Sequence, residues 1–154
     1  MIRYCLKKWD KNKGRLEAAL REVTDFRDCT YNDLVDMIVK YILNDVNCTE
    51  WDGDSITAID NGDYQGTLLF LIPRYAYQPS EYEYLVTFVN YGSCSGCDTL
   101  LNIQPRHDSK LNDGEVKDFM HLCRDIVANM IKPYNYGWRE EPEFEPVEET
   151  KDND

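Results

Sequence analysis

The hydrophobic periodicity changes once along the chain, between residues 44 and 53, and this change restricts the fold to one class. Before it, apolar residues recur at the three- and four-residue spacings of amphipathic helices. After it, apolar and polar residues alternate or form a short continuous apolar run, as they do in β-strands. A last segment with helical spacing follows the strand region. We therefore predict an α+β fold with the element order α-α-β-β-β-α.

Two helices are predicted in the N-terminal part of the chain. Apolar residues at helical spacing indicate a first helix over residues 10–26. Thr30 offers a hydroxyl N-cap to a second helix over residues 31–43, and Asp33 lies in its first turn, where the helix dipole favours a negative charge. The second helix has a wide apolar stripe, so we expect it to be extensively buried.

Three strands are expected over residues 55–60, 66–73 and 82–91. The first and third alternate between apolar and polar side chains, and residues 61–63 (Asn-Gly-Asp) supply turn chemistry between the first two strands. The second strand is a continuous apolar run, which suits a central strand covered on both faces. Short connections predict an antiparallel meander, with Tyr84 in the core.

The last helix begins at Asn112 or Asp113, either of which can act as its N-cap, and Glu115 strengthens the first turn. The helical pattern ends before Pro133, because proline cannot continue a helix. We expect this C-terminal helix to pack on the sheet.

A length of 154 residues suits a single domain. Residues 1–138 are predicted to form this domain, and residues 139–154, which are acidic and lack a periodic apolar pattern, to form a flexible tail. No stretch approaches the roughly 20 apolar residues that cross a bilayer, and the N-terminus carries no signal-peptide pattern. We expect a soluble, cytoplasmic protein that does not bind membranes.

The net charge of −12 is distributed unevenly. Residues 1–29 hold eight Lys or Arg against five Asp or Glu, residues 30–138 hold seven against sixteen, and residues 139–154 hold two against eight. Direct nucleic-acid binding is disfavoured, because neutralising phosphates requires clustered Lys and Arg. A protein with a basic surface is the natural electrostatic partner.

The most distinctive local motif is the C-x-x-C formed by Cys94 and Cys97, which Gly92 and Gly96 accompany. We interpret it as a structural tight turn in which the glycines supply positive φ angles. Six cysteines in a chain without a secretion signal are expected to be reduced. We therefore predict that Cys94 and Cys97 are reduced and metal-free, and that no cofactor is bound.

Zinc bound by Cys94 and Cys97 is the alternative for this motif. Cys123 cannot complete such a site together with His121, because the two side chains lie on nearly opposite sides of the last helix. His107 together with Asp98 is the remaining ligand pair.

Redox catalysis is disfavoured, because no basic residue lies near Cys97 to lower its pKa. A thioredoxin-like motif would also need an immediate helix, and residues 99–105 look extended or irregular.

Four aspartates crowd the first strand and the turns beside it, namely Asp52, Asp54, Asp60 and Asp63. A metal or general-acid site would need a Lys, a His or a second carboxylate cluster nearby, and none is found there in the sequence. Turn formation therefore explains their spacing better than catalysis does. Tyr75 and Tyr77 lie in the next loop and fit either a protein contact or a packed strand face.

Residues 63–73 (DYQGTLLFLIP) and 91–100 (YGSCSGCDTL) resemble a family of small uncharacterised proteins encoded by tailed bacteriophages, and the similarity covers about residues 55–131. The resemblance implies an accessory role in the bacterial host cytoplasm during infection. It implies no activity and no catalytic residue.

Two functions follow as hypotheses. The first is a non-enzymatic, anti-CRISPR-like anti-defence inhibitor that binds a basic surface of a host protein, for example a defence nuclease, and covers its nucleic-acid site. Its expected partner-binding residues are Asp52, Asp54, Asp60, Asp63, Tyr75 and Tyr77. The alternative is a zinc- or thiol-dependent module or enzyme centred on Cys94 and Cys97.

Overall fold

A computed structural model describes residues 2–131 of the chain, which form an α+β fold around a three-stranded antiparallel sheet. The predicted tail, residues 139–154, lies outside the described residues. In chain order the elements are α1 (Ile2–Glu22), α2 (Tyr31–Ile38), β1 (Thr57–Asp60), β2 (Gly66–Pro73), β3 (Tyr84–Tyr91), α3 (Thr99–Ile103) and α4 (Asp113–Ala128).

Helix α1 begins eight residues earlier than predicted and also ends earlier, at Glu22. Cys5, Trp9 and Asn12 are buried and extend the stripe of Leu16 and Leu20 towards the N-terminus. The buried Asn12 fits in this stripe because its side chain donates hydrogen bonds to the backbone carbonyl of Ile42 (2.8 Å) and to Asp45. Residues 2–9 were not predicted as helical because charged residues separate Cys5 and Trp9 from the rest of the stripe.

The N-cap predicted for the second helix is confirmed. The Thr30 hydroxyl accepts a hydrogen bond from the backbone N–H of Asp33, and the Asp33 carboxylate accepts one from the backbone N–H of Thr30 (2.8 Å), which completes a capping box. Helix α2 continues into a wider π-helical turn, Val39–Leu43, so the helical segment ends at the predicted residue. Its buried apolar side chains contribute to the hydrophobic core.

Asn44 closes the loop that follows this helical segment. Its side-chain oxygen accepts hydrogen bonds from the backbone N–H groups of Glu50 (3.0 Å) and Trp51 (2.8 Å), and its amide group donates to the carbonyl of Trp51 (2.9 Å). Trp51 in turn bridges to Arg74, just beyond β2. One buried side chain therefore connects the helical segment to the end of the sheet.

The predicted meander is confirmed, with β2 between β1 and β3. Strands β1 and β3 each begin two residues later than predicted. On β2, Phe70 and Ile72 belong to the hydrophobic core, whereas Leu69 and Leu71 on the opposite face are only half-buried. The core therefore lies on one face of β2, and the predicted cover of the opposite face is only partial, with Pro73 and the neighbouring Val86 buried there.

Helix α4 begins after Asn112, one of the two residues predicted as its N-cap, and Glu115 in the first turn completes a capping box with it. Its apolar face contributes Phe119 and Cys123 to the core. After the helix, the chain returns to the sheet, where Ile131 and Val86 exchange two backbone hydrogen bonds of 2.8 Å. The hydroxyl of Thr87 on β3 also donates a hydrogen bond to the carbonyl of Ile126 in α4 (2.7 Å), which confirms the predicted packing of this helix on the sheet.

Replacing Cys123 with serine should destabilise the protein, whereas His121→Ala should be nearly silent. Cys123 is fully buried in the core and His121 is exposed. Burying the serine hydroxyl among apolar groups should lower the free energy of unfolding by about 1–3 kcal/mol, against a change within about 0.5 kcal/mol for His121→Ala. Chemical denaturation measures both values. Equal losses would show that the helix presents a different face to the core.

Candidate functional site

The six residues predicted to bind a partner divide between two ends of the sheet. The backbone N–H of Asp52 donates to the carbonyl of Pro73 (2.9 Å), which places Asp52 beside the C-terminal end of β2. Asp60 pairs with Leu68 near the N-terminal end of β2. Strand β2 has eight residues, so at about 3.3 Å per residue its ends lie roughly 20 Å apart. Asp52, Asp54 and the two tyrosines therefore lie at one end, and Asp60 and Asp63 at the other.

Tyr75 and Tyr77 lie in the loop that follows β2, which we call the tyrosine loop (residues 74–79). Their side chains are 68% and 98% exposed, so the packed alternative left open by the sequence is wrong for both. The base of the loop is fixed, because the backbone N–H of Arg74 donates to the carbonyl of Glu83 (2.7 Å) and that of Tyr75 donates to Glu50 (2.8 Å). Two aromatic rings therefore project into solvent from an anchored backbone.

Two other tyrosines differ from expectation. Tyr84 was predicted in the core, but it is half-buried and lies opposite Pro73 on the face of the sheet away from Ile72 and Leu85, which are core residues. Tyr64, which the sequence analysis did not single out, is 83% exposed in the turn between β1 and β2. Nothing in its local sequence distinguishes it from a packed tyrosine.

The predicted turn role of Asp52 is confirmed. Its carboxylate accepts hydrogen bonds from the backbone N–H of Asp54 (3.0 Å) and the hydroxyl of Ser55 (2.8 Å), and so caps the short 3₁₀ turn Gly53–Ser55. Asp54 is exposed at the same turn. Asp54 can therefore change without loss of this cap, whereas Asp52 cannot.

A groove of about 340 Å³ lies where the connection between α1 and α2 meets α2, and its carboxylates were not predicted as a group. Apolar side chains form part of its wall. The acidic side chains that line it are Asp25, Asp28, Asp33 and Asp36. Arg27 hydrogen-bonds to Asp25 and lowers the pKa of that carboxyl to about 2. Because Arg27 also offsets the charge of Asp25, the net negative charge of the groove comes from Asp28, Asp33 and Asp36.

Asp36 links this groove electrostatically to Asp54. Partial burial raises the pKa of Asp36, and the negative charges of Asp54 and Asp33 raise it further. Repulsion of this kind requires the carboxylates to lie within electrostatic reach of each other. We call Asp28, Asp33, Asp36 and Asp54 the acidic surface, and Asp54 joins it to the end of the sheet that carries the tyrosine loop.

Cys94 and Cys97 are joined by a disulfide, so the prediction that they are reduced is wrong. The backbone N–H of Cys97 donates to the carbonyl of Cys94 (3.1 Å), and this turn brings the two Cα atoms to 5.5 Å, within the usual range for a disulfide. The expected tight turn is thus present, but it places the two sulfur atoms in bonding contact.

The expected role of the two glycines is also wrong, since neither Gly92 nor Gly96 has a φ in the left-handed region. Gly92 is required by a close approach instead, because a Cβ there would lie 2.7 Å from the Cβ of Cys97. Gly96 has open space around it, with only the sulfur of Cys94 in ordinary contact.

Helix α3 begins immediately after the C-x-x-C motif, where an extended or irregular segment was predicted. Asp98 is its N-cap and accepts a hydrogen bond from the backbone N–H of Leu101. The same buried carboxylate accepts hydrogen bonds from the hydroxyl of Tyr31 (2.8 Å) and the N–H of Gly92. Asp98 is therefore a structural residue, and a helix does follow the C-x-x-C motif immediately, contrary to the prediction.

The other residue considered for zinc, His107, is hydrogen-bonded to Glu115 (2.7 Å) and to Ser109 (2.8 Å) in the loop before α4. Across residues 2–131, no three His, Cys, Asp or Glu side chains converge as a set of metal ligands.

Alkylation with and without reduction tests the disulfide. Cys5, Cys29, Cys48 and Cys123 are thiols in the structure. In denaturant without a reductant, iodoacetamide should therefore label four cysteines, and after reduction it should label six. Intact-mass spectrometry counts the labels. Six labels without a reductant would restore the prediction of reduced thiols.

No protein-family model matches the chain, and neither curated proteins nor solved structures are significantly similar to it. In the described range, residues 2–131, every helix is too short or too polar to cross a bilayer.

Proposed function

We propose that this protein acts by binding another protein that has a basic surface, with the acidic surface directing the approach and Tyr75 and Tyr77 forming the apolar contact. The observation that carries the proposal is the exposure of the two tyrosines, 68% and 98%, on a loop with an anchored base. Tyrosine buries a large area on binding and loses little conformational entropy, so exposed tyrosines on a fixed backbone suit a protein contact.

The charge distribution supports the same proposal. The acidic surface contributes four carboxylates, of which Asp54 lies at the end of the sheet that carries the tyrosine loop, and the full chain has a net charge of −12. Clustered carboxylates attract a basic partner at distances up to about a Debye length, and this attraction raises the association rate. This charge directs the encounter, and the tyrosines then hold the partner in place.

We further propose that the partner is a host protein in the bacterial cytoplasm, and that the acidic surface occupies its nucleic-acid site, as an anti-defence inhibitor of a nuclease would. The support for this is the resemblance of residues 63–73 and 91–100 to proteins of tailed bacteriophages, together with the charge. A site that binds phosphates is rich in Lys and Arg and therefore complements clustered carboxylates.

A non-enzymatic mode of action fits the roles of the polar residues. Asp52 caps a turn. Asp98 is buried, acts as the N-cap of α3, and accepts hydrogen bonds from a tyrosine hydroxyl and a backbone amide. These carboxylates already have structural roles that account for their positions. The zinc- or thiol-dependent alternative at Cys94 and Cys97 would use a pair of sulfurs that are bonded to each other in the structure.

Site-specific photo-crosslinking in bacterial cells tests the proposal. A benzophenone amino acid is placed at position 77 in one variant and at position 64 in a matched control, because both native tyrosines are more than four-fifths exposed but lie at opposite ends of the sheet. We expect one discrete basic protein crosslinked from position 77 and absent from position 64. The same adducts from both positions, or none from position 77, would contradict the proposal.

A further inference from the structure

Strand β1 leaves one edge of the sheet open. Within the described chain it pairs only with β2, and all four of its residues are exposed. Just beyond the strand, the N–H of Asn61 donates to the carbonyl of Thr67 (3.3 Å). Because hydrogen bonding alternates along an antiparallel pair, Ala58 and Asp60 direct their backbone N–H and C=O groups away from β2, towards this open edge.

The side chains of the same two residues line a cavity of about 300 Å³. The cavity lies between β1, the N-terminal end of α2 and helix α3, and its apolar wall includes Leu68, Leu100 and Leu101. Leu101 is nearly half exposed, although it is a large apolar side chain. The cavity and the open edge are therefore adjacent, and Ala58 and Asp60 belong to both.

Asp60 gives this cavity a negative charge. Its carboxylate accepts hydrogen bonds from the hydroxyl of Tyr91 (2.5 Å) and the backbone N–H of Gly62 (3.0 Å). These bonds lower the pKa of Asp60, and the carboxylate in turn raises the pKa of the Tyr91 hydroxyl to about 12. Near neutral pH, an ionised carboxylate thus stands on an otherwise largely apolar wall, an arrangement that suits a cationic side chain with an apolar neighbour.

We propose that the open edge of β1 and this cavity form a second binding site, which takes an extended peptide segment carrying Arg or Lys two residues before a large apolar residue. The segment adds to β1 as an antiparallel strand, a recurring mode of peptide recognition. The residue opposite Asp60 then precedes the residue opposite Ala58 by two positions, and both side chains face the cavity. This site goes beyond the proposed function and lies at the other end of the sheet from the tyrosine loop.

A panel of synthetic peptides provides the probe. Each peptide has nine residues with blocked ends, Arg or Lys at the fourth position, Leu, Val or Phe at the sixth and Thr elsewhere. Each is titrated to about 1 mM into the ¹⁵N-labelled full chain, a concentration that detects weak complexes. We expect the amide resonances of Ala58, Asp60 and Leu101 to shift together for at least one peptide. A matched peptide methylated on the backbone nitrogens of its fourth and sixth residues should bind at least about tenfold more weakly, because it cannot pair with the edge.

Three protein variants, one of them a control, separate the contribution of the Asp60 charge from that of the strand edge. Asp60→Asn should weaken binding roughly tenfold, the loss expected when one charge-assisted contact is removed. Asp63→Asn is the control, because it makes the same charge change at a residue outside the cavity lining. It should leave the affinity within about twofold of the unmodified protein. Ala58→Pro removes only an outward N–H and should abolish the shifts while β1 remains paired with β2.

Three results would overturn the inference. The first is the absence of shifts at Ala58 and Asp60 with every peptide. The second is binding that shifts the acidic surface instead and is indifferent to Asp60→Asn. The third is a concentration-dependent dimer that shifts the β1 amides without peptide, which would assign the edge to a second copy of the chain. None of these depends on Tyr75 or Tyr77, so failure here and failure of the proposed function are distinguishable.

Discussion

Replacing Asn44 with alanine should lower the free energy of unfolding by about 3–5 kcal/mol, the largest loss expected from one side chain outside the hydrophobic core. The substitution removes three hydrogen bonds and leaves backbone groups of Glu50 and Trp51 without their partner. Each buried polar group left unsatisfied costs about 1–3 kcal/mol. The loss is large against a typical domain stability of about 5–15 kcal/mol.

Asn47→Ala is the matched control, because Asn47 is exposed in the loop that Asn44 closes. It should change the free energy of unfolding by less than about 0.5 kcal/mol. Urea denaturation of the two variants gives the comparison. A loss below about 1 kcal/mol for Asn44→Ala would mean that the loop and Trp51 are held without this side chain.

Replacing Tyr77 with alanine should weaken binding to the crosslinked partner roughly thirtyfold, equivalent to about 2 kcal/mol, the value typical of an aromatic side chain central to an interface. Tyr75→Ala should have a smaller effect in the same direction, because Tyr75 is less exposed before binding. Neither variant should change the melting temperature, since both rings project into solvent. Calorimetric titration with the partner measures the affinities.

Tyr64→Ala is the control for this prediction, since it removes another highly exposed tyrosine ring (83%, against 98% for Tyr77) at the other end of the sheet. Its affinity should stay within about twofold of the unmodified protein. Equal losses for Tyr64→Ala and Tyr77→Ala would assign the contact to general surface hydrophobicity rather than to the tyrosine loop.

The elements that could be predicted from the sequence are those specified by neighbouring residues. Thr30 with Asp33, and Asn112 with Glu115, form their capping boxes within one turn of helix, so local residues indicate the first helix start directly and the second to within one residue. The strands of the meander follow from alternation and from the turn residues around Gly62, which are equally local.

The elements that were missed depend on contacts between distant parts of the chain. The missed part of α1, residues 2–9, contacts residues far along the chain, since the hydroxyl of Tyr4 donates a hydrogen bond to Glu50 and the amine of Lys8 donates one to Asp45. Helix α3 depends on Asp98, whose carboxylate caps it while holding Tyr31 from α2. A five-residue helix has too few turns to show a periodicity of its own.

In the candidate site, too, some features could be predicted from local sequence and others could not. Exposure of Tyr75 and Tyr77 could be anticipated as one of two alternatives, because both residues lie in a predicted loop between two strands. The acidic groove could not, since Asp25 and Asp28 precede a helix start and Asp36 lies within the helix. The separation of Asp54 from Asp60 also depends on pairing with β2, which the linear spacing of the four aspartates does not reveal.

The most direct test of the proposed function is the affinity for the crosslinked partner across a salt series, for the unmodified protein and for Asp54→Lys and Asp63→Lys. Both residues are exposed, and the two substitutions change the charge equally, but only Asp54 belongs to the acidic surface. The Debye length falls from about 10 Å at 0.1 M salt to about 3 Å at 1 M. We expect the affinity of the unmodified protein to fall at least roughly tenfold over this range. Asp54→Lys should bind more weakly than the unmodified protein at about 0.1 M salt and equally well at about 1 M. Asp63→Lys should have the affinity of the unmodified protein at every salt concentration. An affinity that is independent of salt and indifferent to Asp54→Lys would contradict binding through the acidic surface.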